Sequence, residues 1–286
     1  MPNARAIKQR IKSAKNISKI TKAMEMVSAS KMRKSQQQAM SSRPYAVELQ
    51  TILQKISQFT DSTAHPLLTK ESEGKDLMVV VSTDRGLVAG LNSNLFRAVL
   101  QWRESHPNSV FISVGKKAKQ FISRMGFELY ADFSPFVDAI SYRDSLPMSS
   151  LVMKAFLNHE FKSVYVAHMQ LINTLSQQPV LDQLLPLSPI KIENKAEIEQ
   201  VSKEYIFEPS ANEVLNWLLP YYVENTVYFT LLESKASEHS ARMISMKNAS
   251  DNAKDIVNVL SLEYNRSRQA SITRELQEIT TAQMSL

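Results

Sequence analysis

The sequence predicts an α/β protein in which long N- and C-terminal helices pair as an antiparallel two-helix coiled coil around a central α/β domain. Three observations predict this fold class. All five glycines of the 286 residues lie between Gly74 and Gly126, where average usage would give roughly 20 in the whole chain. Both flanks carry apolar residues at helical spacing, and the middle alternates between strand-like and helix-like runs. We therefore expect three domains: a helix over 1–60, the α/β domain over 75–200 and a helix over 208–286.

The N-terminal helix is predicted by an apolar stripe with spacings of three or four residues. Its members are Ile7, Ile11, Ala14, Ile17, Ile20, Met24 and Val27. The stripe resumes in a heptad rhythm at Tyr45, Leu49, Ile52, Ile56 and Phe59. Because Pro44 removes a backbone hydrogen bond between the two stretches, we expect a bend there or two collinear helices.

The C-terminal helix is predicted by a run from Tyr221 to Leu286 that contains neither glycine nor proline. Ser210 and Glu213 form a capping box ahead of it, and Pro220 predicts a kink. Its apolar stripe is irregular and comprises Met243, Met246, Ala249, Ala253, Ile256, Leu260, Tyr264, Ile272, Leu276 and Ile279. A helix of roughly 100 Å needs a long partner to cover such a stripe. The N-terminal helix is the nearest candidate, and the longer C-terminal helix should extend beyond it.

The middle of the chain predicts a parallel sheet with right-handed crossovers, because strand-like and helical runs alternate. The strand-like runs lie near Asp76–Ser82, Val110–Val114, Phe127–Ala131, Lys162–Ile172 and Thr174–Leu185. The helical runs lie near Leu91–Arg103, Lys116–Arg124 and Ser149–His159.

Charge is concentrated at the N-terminus, where residues 1–43 hold eleven Lys or Arg and the single acid Glu25. Such a segment suits a solvated helix face, a nucleic-acid or anionic-lipid patch, a transit peptide, or a surface matched to an acidic protein partner. The residues alone leave these four interpretations open.

No motif in the sequence indicates a catalytic residue, a cofactor or a metal. The chain has no cysteine, which excludes disulfides and a cysteine nucleophile. The glycines around Gly86, Gly90 and Gly115 fit neither GxGxxG nor a Walker loop, and the five histidines lack metal-ligand spacing. The longest solid apolar run, Leu77–Val81, is far shorter than the ~20 residues that span a bilayer.

Three stretches resemble the gamma-subunit family of F-type ATP synthases. Arg10–Val27, followed by Ser30–Met32, is similar to the family's N-terminal signature. Ala236–Ala249 and Asn265–Leu276 resemble the C-terminal signature, and Ser82–Asn92 also matches. The resemblance covers essentially the whole chain. Because the first signature begins within ten residues of the start, we expect no transit peptide and a bacterial origin.

The resemblance implies a mechanical subunit without a catalytic site, cofactor or metal of its own. In this family the terminal helices form a shaft inside a ring of alpha and beta subunits, and a Rossmann-like domain sits near the proton-driven membrane ring. The implied partners are the alpha, beta and epsilon subunits and the c-ring, with no nucleic acid. The implied location is the cytoplasmic face of the bacterial inner membrane, where the chain is peripheral through the complex.

The resemblance also implies contact residues. Lys19, Lys22 and Met24 match positions that face the acidic lever segments of the beta subunits. The positions that match the shaft surface held by beta-subunit loops are Arg242, Arg268, Gln269 and Thr273. The positions that match the foot near the membrane ring are Tyr205 and Glu208. The chain departs from the family pattern at Ala89 and at 280–283.

Two alternatives predict different behaviour. A basic coiled-coil adaptor would bind nucleic acid or an anionic membrane surface in a salt-sensitive manner. A Rossmann-type enzyme would bind a nucleotide near Gly86.

Overall fold

The computed structural model describes residues 4–56, 65–69, 73–136, 138–187 and 207–284. Its helices are α1 (Ala4–Ile56), α2 (Leu91–Ser105), α3 (Lys116–Met125), α4 (Tyr142–Leu157) and α5 (Ala211–Met284). Its strands are β1 (Lys75–Val81), β2 (Val110–Val114), β3 (Leu129–Phe133), β4 (Phe161–Leu171) and β5 (Gln177–Leu185). This architecture confirms the predicted fold class, a long helix at each end and an α/β segment between them.

The five strands form one sheet in the order β3-β2-β1-β4-β5. The pairs β1–β2, β2–β3 and β1–β4 are parallel, as predicted, whereas β5 runs antiparallel to β4. The expectation of a purely parallel sheet is therefore wrong at this edge. Only the five residues Ile172–Ser176 separate the last two strands, and a parallel pair needs a crossover of a dozen or more residues.

Both faces of the sheet are covered by apolar cores. Along β1, Leu77, Val79 and Val81 enter one core together with α4, the first part of α5 and the end of α1. The alternate residues Met78 and Val80 enter the other core with α2 and α3. Successive side chains of a strand point to opposite faces, so a continuous apolar run is what a strand buried on both sides requires.

Two helix predictions change in the structure. Helix α4 begins at Tyr142 rather than near Ser149, because Asp144 Oδ2 accepts the Ser141 backbone N–H at 2.8 Å and caps the first turn. Pro44 lies inside α1, so the expectation of two separate collinear helices is wrong. Pro220 lies inside the continuous helix α5, where the sequence analysis places it.

The chain divides into two compact units. The coiled-coil unit comprises Met1–Ser30 and Arg242–Leu286, and the α/β unit comprises Lys31–Ala241. The boundaries between these units fall within both long helices. The expected domains 1–60, 75–200 and 208–286 instead assign each long helix to a domain of its own.

The predicted stripe of α1 is only partly buried. Ile7 and Ala14 are buried, but Ile17, Ile20 and Val27 are more than half exposed. The seven stripe residues from Ile7 to Val27 are separated by six steps that together span 20 residues. Six full helical turns would need about 21.6 residues, so the stripe falls short of a straight line and drifts by about 160° around the helix. The buried side continues instead through small residues such as Ser28.

The stripe of α5 is also divided between buried and exposed residues. Met246, Ala253 and Leu260 are buried, whereas Ile256 is half exposed. Every residue from 271 to 280 is exposed, including Ile272, Leu276 and Ile279. These residues therefore form no part of a buried coiled-coil seam in the described structure.

Candidate functional site

Helices α1 and α5 meet in the coiled-coil unit through small polar residues. The Ser18 and Ser250 hydroxyls each donate to the other residue's backbone carbonyl, at 3.4 Å in both cases. Counting in opposite directions from this contact brings Tyr264 of α5 opposite Ala4, where α1 begins. Residues of α5 after Tyr264 therefore extend beyond the described part of α1.

The predicted lever contacts lie on the outward side of α1. Lys19 is exposed, Met24 is half-buried, and Lys22 forms a half-exposed ion pair with Glu25 at 3.0 Å. At 100° per residue, Met24 falls on one strip with Ile17, Ile20 and Val27, whereas Lys19 lies about 120° and Lys22 about 180° around the helix from the centre of that strip. We call Ile17, Ile20, Met24 and Val27 the outer apolar strip.

The outer apolar strip is the main feature that the sequence analysis misplaced. Its four residues fit a buried coiled-coil seam by spacing, and the sequence analysis assigned them to it. The signal that could have separated them is the angular drift of the stripe, together with the small residues Ser18, Thr21 and Ser28, which lie on the neighbouring side of the helix around Ala14. A strip of exposed apolar side chains on a helix suits a protein partner that covers it.

Lys22 also belongs to a charged surface that α5 shares. Asp251 lies 3.0 Å from Lys254, and this hydrogen bond, with further attraction from Lys247 and Lys22, lowers the pKa of the Asp251 carboxyl. Acids of α5 thus offset part of the basic charge of α1 along the coil.

The other predicted loop contacts fall into two separate groups. Arg268 and Gln269 are exposed on the part of α5 beyond α1, and Thr273 is exposed one turn further, its hydroxyl donating to the Gln269 carbonyl at 3.0 Å. Arg242 is half-buried and lies 26 residues earlier in the helix, about 39 Å away along its axis. The structure therefore does not bring Arg242 together with the other three residues.

The predicted foot is described only in part. Glu208 is exposed, and Tyr205 lies outside the described residues. The Ser210 hydroxyl accepts the Glu213 backbone N–H at 3.3 Å, which confirms half of the predicted capping box. The sequence analysis missed Trp217, which is 85% exposed near the start of α5.

Aromatic rings lie beside this start of α5. Tyr221 packs edge-on against Tyr45 of α1 with ring centroids 6.1 Å apart. Burial and the hydrogen bond with Tyr221 raise the pKa of Tyr45 to about 12, so this contact stays uncharged across the physiological range. Tyr142 of α4 donates to Glu224 at 2.5 Å, and burial together with this bond raises the Tyr142 pKa.

The loop that contains Gly115, before α3, is closed by side chains of the α/β unit. Asp84 accepts the backbone N–H groups of Lys116 at 2.9 Å and Phe136 at 2.8 Å, and the Ser82 hydroxyl accepts that of Ala118 at 2.7 Å. Gly115 has φ +87°, and a Cβ there would lie 2.5 Å from the Ser82 carbonyl oxygen. In a nucleotide-binding fold, the N-terminus of such a helix would bind a phosphate of the nucleotide. At α3 the backbone N–H groups of Lys116 and Ala118 are already occupied by side chains of the protein.

The described residues also bear on membrane insertion and metal binding. None of the described helices is long and apolar enough to cross a membrane. Within the described ranges, no three His, Cys, Asp or Glu side chains form a group that could hold a metal ion.

Comparison with known proteins identifies the family. A family model described as ATP synthase matches residues 3–286. The ATP synthase gamma chain of Pelotomaculum thermopropionicum is 42% identical over 280 residues, which cover 98% of this chain and 97% of the relative. That of Methylacidiphilum infernorum is 38% identical over 295 residues and the full length of both chains.

Solved structures share the fold. The rotor of the Euglena gracilis mitochondrial ATP synthase superposes with a TM-score of 0.65 at 17% identity, covering 94% of this chain and 98% of that one. The central stalk and c-ring structure from Tetrahymena thermophila contains a chain with a TM-score of 0.60 at 24% identity, covering 81% and 99%. The chain therefore belongs to the family of bacterial ATP synthase gamma chains.

Proposed function

We propose that the chain carries torque between a membrane c-ring and a catalytic hexamer of alpha and beta subunits, and that it has no catalytic site of its own. Proton flow turns the ring, and the asymmetric coiled coil moves the beta subunits through their nucleotide-binding states. The observation that carries this proposal is the outer apolar strip, because exposed apolar side chains on a two-helix coil suit surrounding subunits better than water.

The first contact surface is the part of α1 that carries the outer apolar strip and, on other sides of the helix, Lys19 and Lys22. Lys19 and Lys22 attract the acidic lever segments of the beta subunits, and Met24 supplies a flexible apolar side chain that adapts to each lever in turn. Ile17, Ile20 and Val27 extend this surface by about two helical turns. A moving contact needs such adaptability, because one rotor face meets successive subunits.

The second contact surface lies on the part of α5 beyond α1. Arg268, Gln269 and Thr273 offer donors and acceptors to beta-subunit loops, while Ile272, Leu276 and Ile279 present an apolar row. Arg242 acts separately, about 39 Å away along α5. We therefore assign the predicted loop contacts to two levels of the hexamer rather than to one site.

The third surface is the foot. Tyr205 and Glu208 contact the c-ring, and the epsilon subunit binds beside them. The exposed Trp217 supports an interface here, because a large aromatic ring in water is a common anchor of protein contacts. Through these contacts the chain lies at the cytoplasmic face of the bacterial inner membrane, peripheral to the bilayer.

Reconstitution tests the proposal. Alpha and beta subunits mixed with this chain should hydrolyse ATP faster than the two subunits alone, and a bead attached to the α/β unit should rotate. The variant I20S/V27S should weaken both effects. Ser261→Ala, on the coiled-coil segment of α5, serves as the matched control and should leave both unchanged.

Failure of the wild-type chain to stimulate hydrolysis would contradict the proposal. Salt-sensitive binding of the isolated chain to nucleic acid or anionic vesicles, without stimulation, would support the adaptor alternative instead.

A further inference from the structure

One short segment of α5 is polar yet buried. Between residues 234 and 240, Ala236 is the only apolar residue. Ser237 and Ser240 are 0% exposed, and Lys235, Glu238 and His239 are at most 5% exposed. Buried polar groups are retained where they find hydrogen-bond partners, so this segment is built to contact polar parts of the α/β unit.

The segment lies where α5 changes its position relative to the sheet. Before it, Leu215, Leu219 and Leu231 belong to the core that contains Val79 of β1. After it, Ala241 belongs to the core on the opposite face. The polar residues therefore lie on the stretch of α5 between the two cores, beside the carboxyl end of β4.

Ser237 satisfies a carbonyl that the sheet leaves unpaired. Its hydroxyl donates to the Met169 carbonyl at 2.8 Å. Met169 lies opposite Pro179 of β5, which has no N–H to donate, and the pairing of β4 with β1 ends at Ala167. Neither neighbouring strand can reach this carbonyl, so the helix supplies the donor.

Ser240 holds the turn that follows β4. Its hydroxyl donates to the Thr174 carbonyl at 2.7 Å, in the turn that joins β4 to β5. Ser237 and Ser240 are three residues apart and share one helix face. Two fixed points on one face resist both sliding of α5 along its axis and rotation about it.

Paired charges surround the two serines. Lys235 and Glu238 form a buried ion pair at 3.0 Å, and His168 of β4 lies 3.3 Å from Glu233. Charge pairs in this setting require their partners to stay in place, because separating them leaves a buried charge unpaired. The Lys235–Glu238 pair lies within α5 and moves with it, whereas the His168–Glu233 contact joins β4 to α5 and opposes the same displacement that the serines oppose.

We propose that Ser237 and Ser240 are positioning residues that fix the rotational setting of α5 against the sheet, so that torque passes between the α/β unit and the helix without slip. This inference rests on the rotor function proposed above. The serines contact the sheet and its turn, and act on the partner subunits only through the direction of α5.

The test compares S237A, S240A and the double variant with Ser261→Ala. Ser261 belongs to the same helix, and its hydroxyl donates only within the helix, to the Val257 carbonyl at 2.7 Å. Each chain is assembled with alpha and beta subunits, the hexamer is fixed to a surface, and a probe is attached to the α/β unit. The angular fluctuation of the stalled probe reports the torsional stiffness of the rotor.

The angular variance should increase in each single variant and most in the double variant, while Ser261→Ala matches wild type. Amide exchange over residues 233–241 in the same complexes should accelerate by about fivefold per lost hydroxyl, the factor that corresponds to one net hydrogen bond. If the double variant does not assemble, the single variants decide the result by the same two readouts.

Faster exchange with unchanged angular variance would overturn the proposal, because the serines would then stabilise the fold without setting stiffness. Unchanged exchange and variance would overturn it as well. A wild-type complex that does not rotate would overturn it together with the rotor function, and this outcome is distinguishable from the other two.

Discussion

The coiled-coil unit and the α/β unit are stabilised in different ways. The α/β unit buries large apolar side chains on both faces of its sheet, including Phe111, Leu95 and Leu231. The coiled-coil unit buries small residues such as Ala14 and Ser250 beside a few larger ones, and leaves Ile17, Ile20 and Val27 more than half exposed. The first unit therefore carries its own core, whereas the second presents apolar surface that partner subunits can cover.

The largest expected effect is a difference between the two units in how much one lost apolar side chain lowers the free energy of unfolding. Leu231→Ala removes a buried side chain from the α/β core and should lower the free energy of unfolding by about 2–5 kcal/mol. Ile20→Ala removes an exposed side chain of the coil and should change it by less than about 0.5 kcal/mol. Denaturant unfolding of the two variants measures both values. Similar losses would contradict the comparison.

Glycine should be required in the α/β unit at particular positions only. Gly115→Ala places a Cβ at positive φ and 2.5 Å from the Ser82 carbonyl oxygen, so it should destabilise by about 1–3 kcal/mol. Gly86→Ala is the matched control, because a Cβ there meets nothing within 4 Å. Thermal unfolding of both variants tests this, and an equal effect at the two glycines would show that the loop relaxes.

The outer apolar strip should affect assembly more than folding. I20S/V27S should weaken binding to the alpha and beta hexamer by about tenfold, the cost of losing an interface contact of ordinary strength. The melting temperature of the isolated chain should hardly change, because both side chains are already exposed. Titration of the hexamer with each chain measures affinity, and unchanged affinity would remove the strip from the interface.

The smallest expected effect concerns acid stability. Burial raises the pKa of Asp132, but hydrogen bonds from Lys119, Ser113 and Ser134 outweigh it and lower that pKa below 3.8. A lowered folded-state pKa gives stability that is present above 3.8 and lost as pH falls through the folded value. Asp132→Asn should therefore cost under about 1 kcal/mol near neutral pH, and this cost should shrink in acid.

Asp251→Asn supplies the matched measurement in the coiled-coil unit. The Asp251 side chain is 55% exposed, against 19% for Asp132, so solvent screens its interaction with Lys254 more strongly. Unfolding measured near neutral pH and below pH 3.8 should show a smaller pH-dependent loss for Asp251→Asn. The reverse order would contradict the difference between the units.

Much of the fold could be predicted because it depends on local composition. Glycine-free flanks with helical spacing indicate long helices, and the run Leu77–Val81 indicates a strand buried on both faces. The lever and loop residues were found through family motifs rather than through chemistry, because no spacing of Lys19, Lys22 and Met24 by itself distinguishes a contact surface from a solvated face. Trp217 was missed because one aromatic residue in a helical run carries no positional signal.

The sequence by itself determined where the helices and strands lie and which family the chain belongs to. Tertiary structure decided the direction of β5, the separation of Arg242 from Arg268, and the side of α1 that is buried. The physical reason is that periodicity defines a face only locally, since a small error per turn accumulates to about 160° over the α1 stripe. Likewise, the role of a polar run such as 234–240 is visible only from the carbonyls of Met169 and Thr174 that its serines contact.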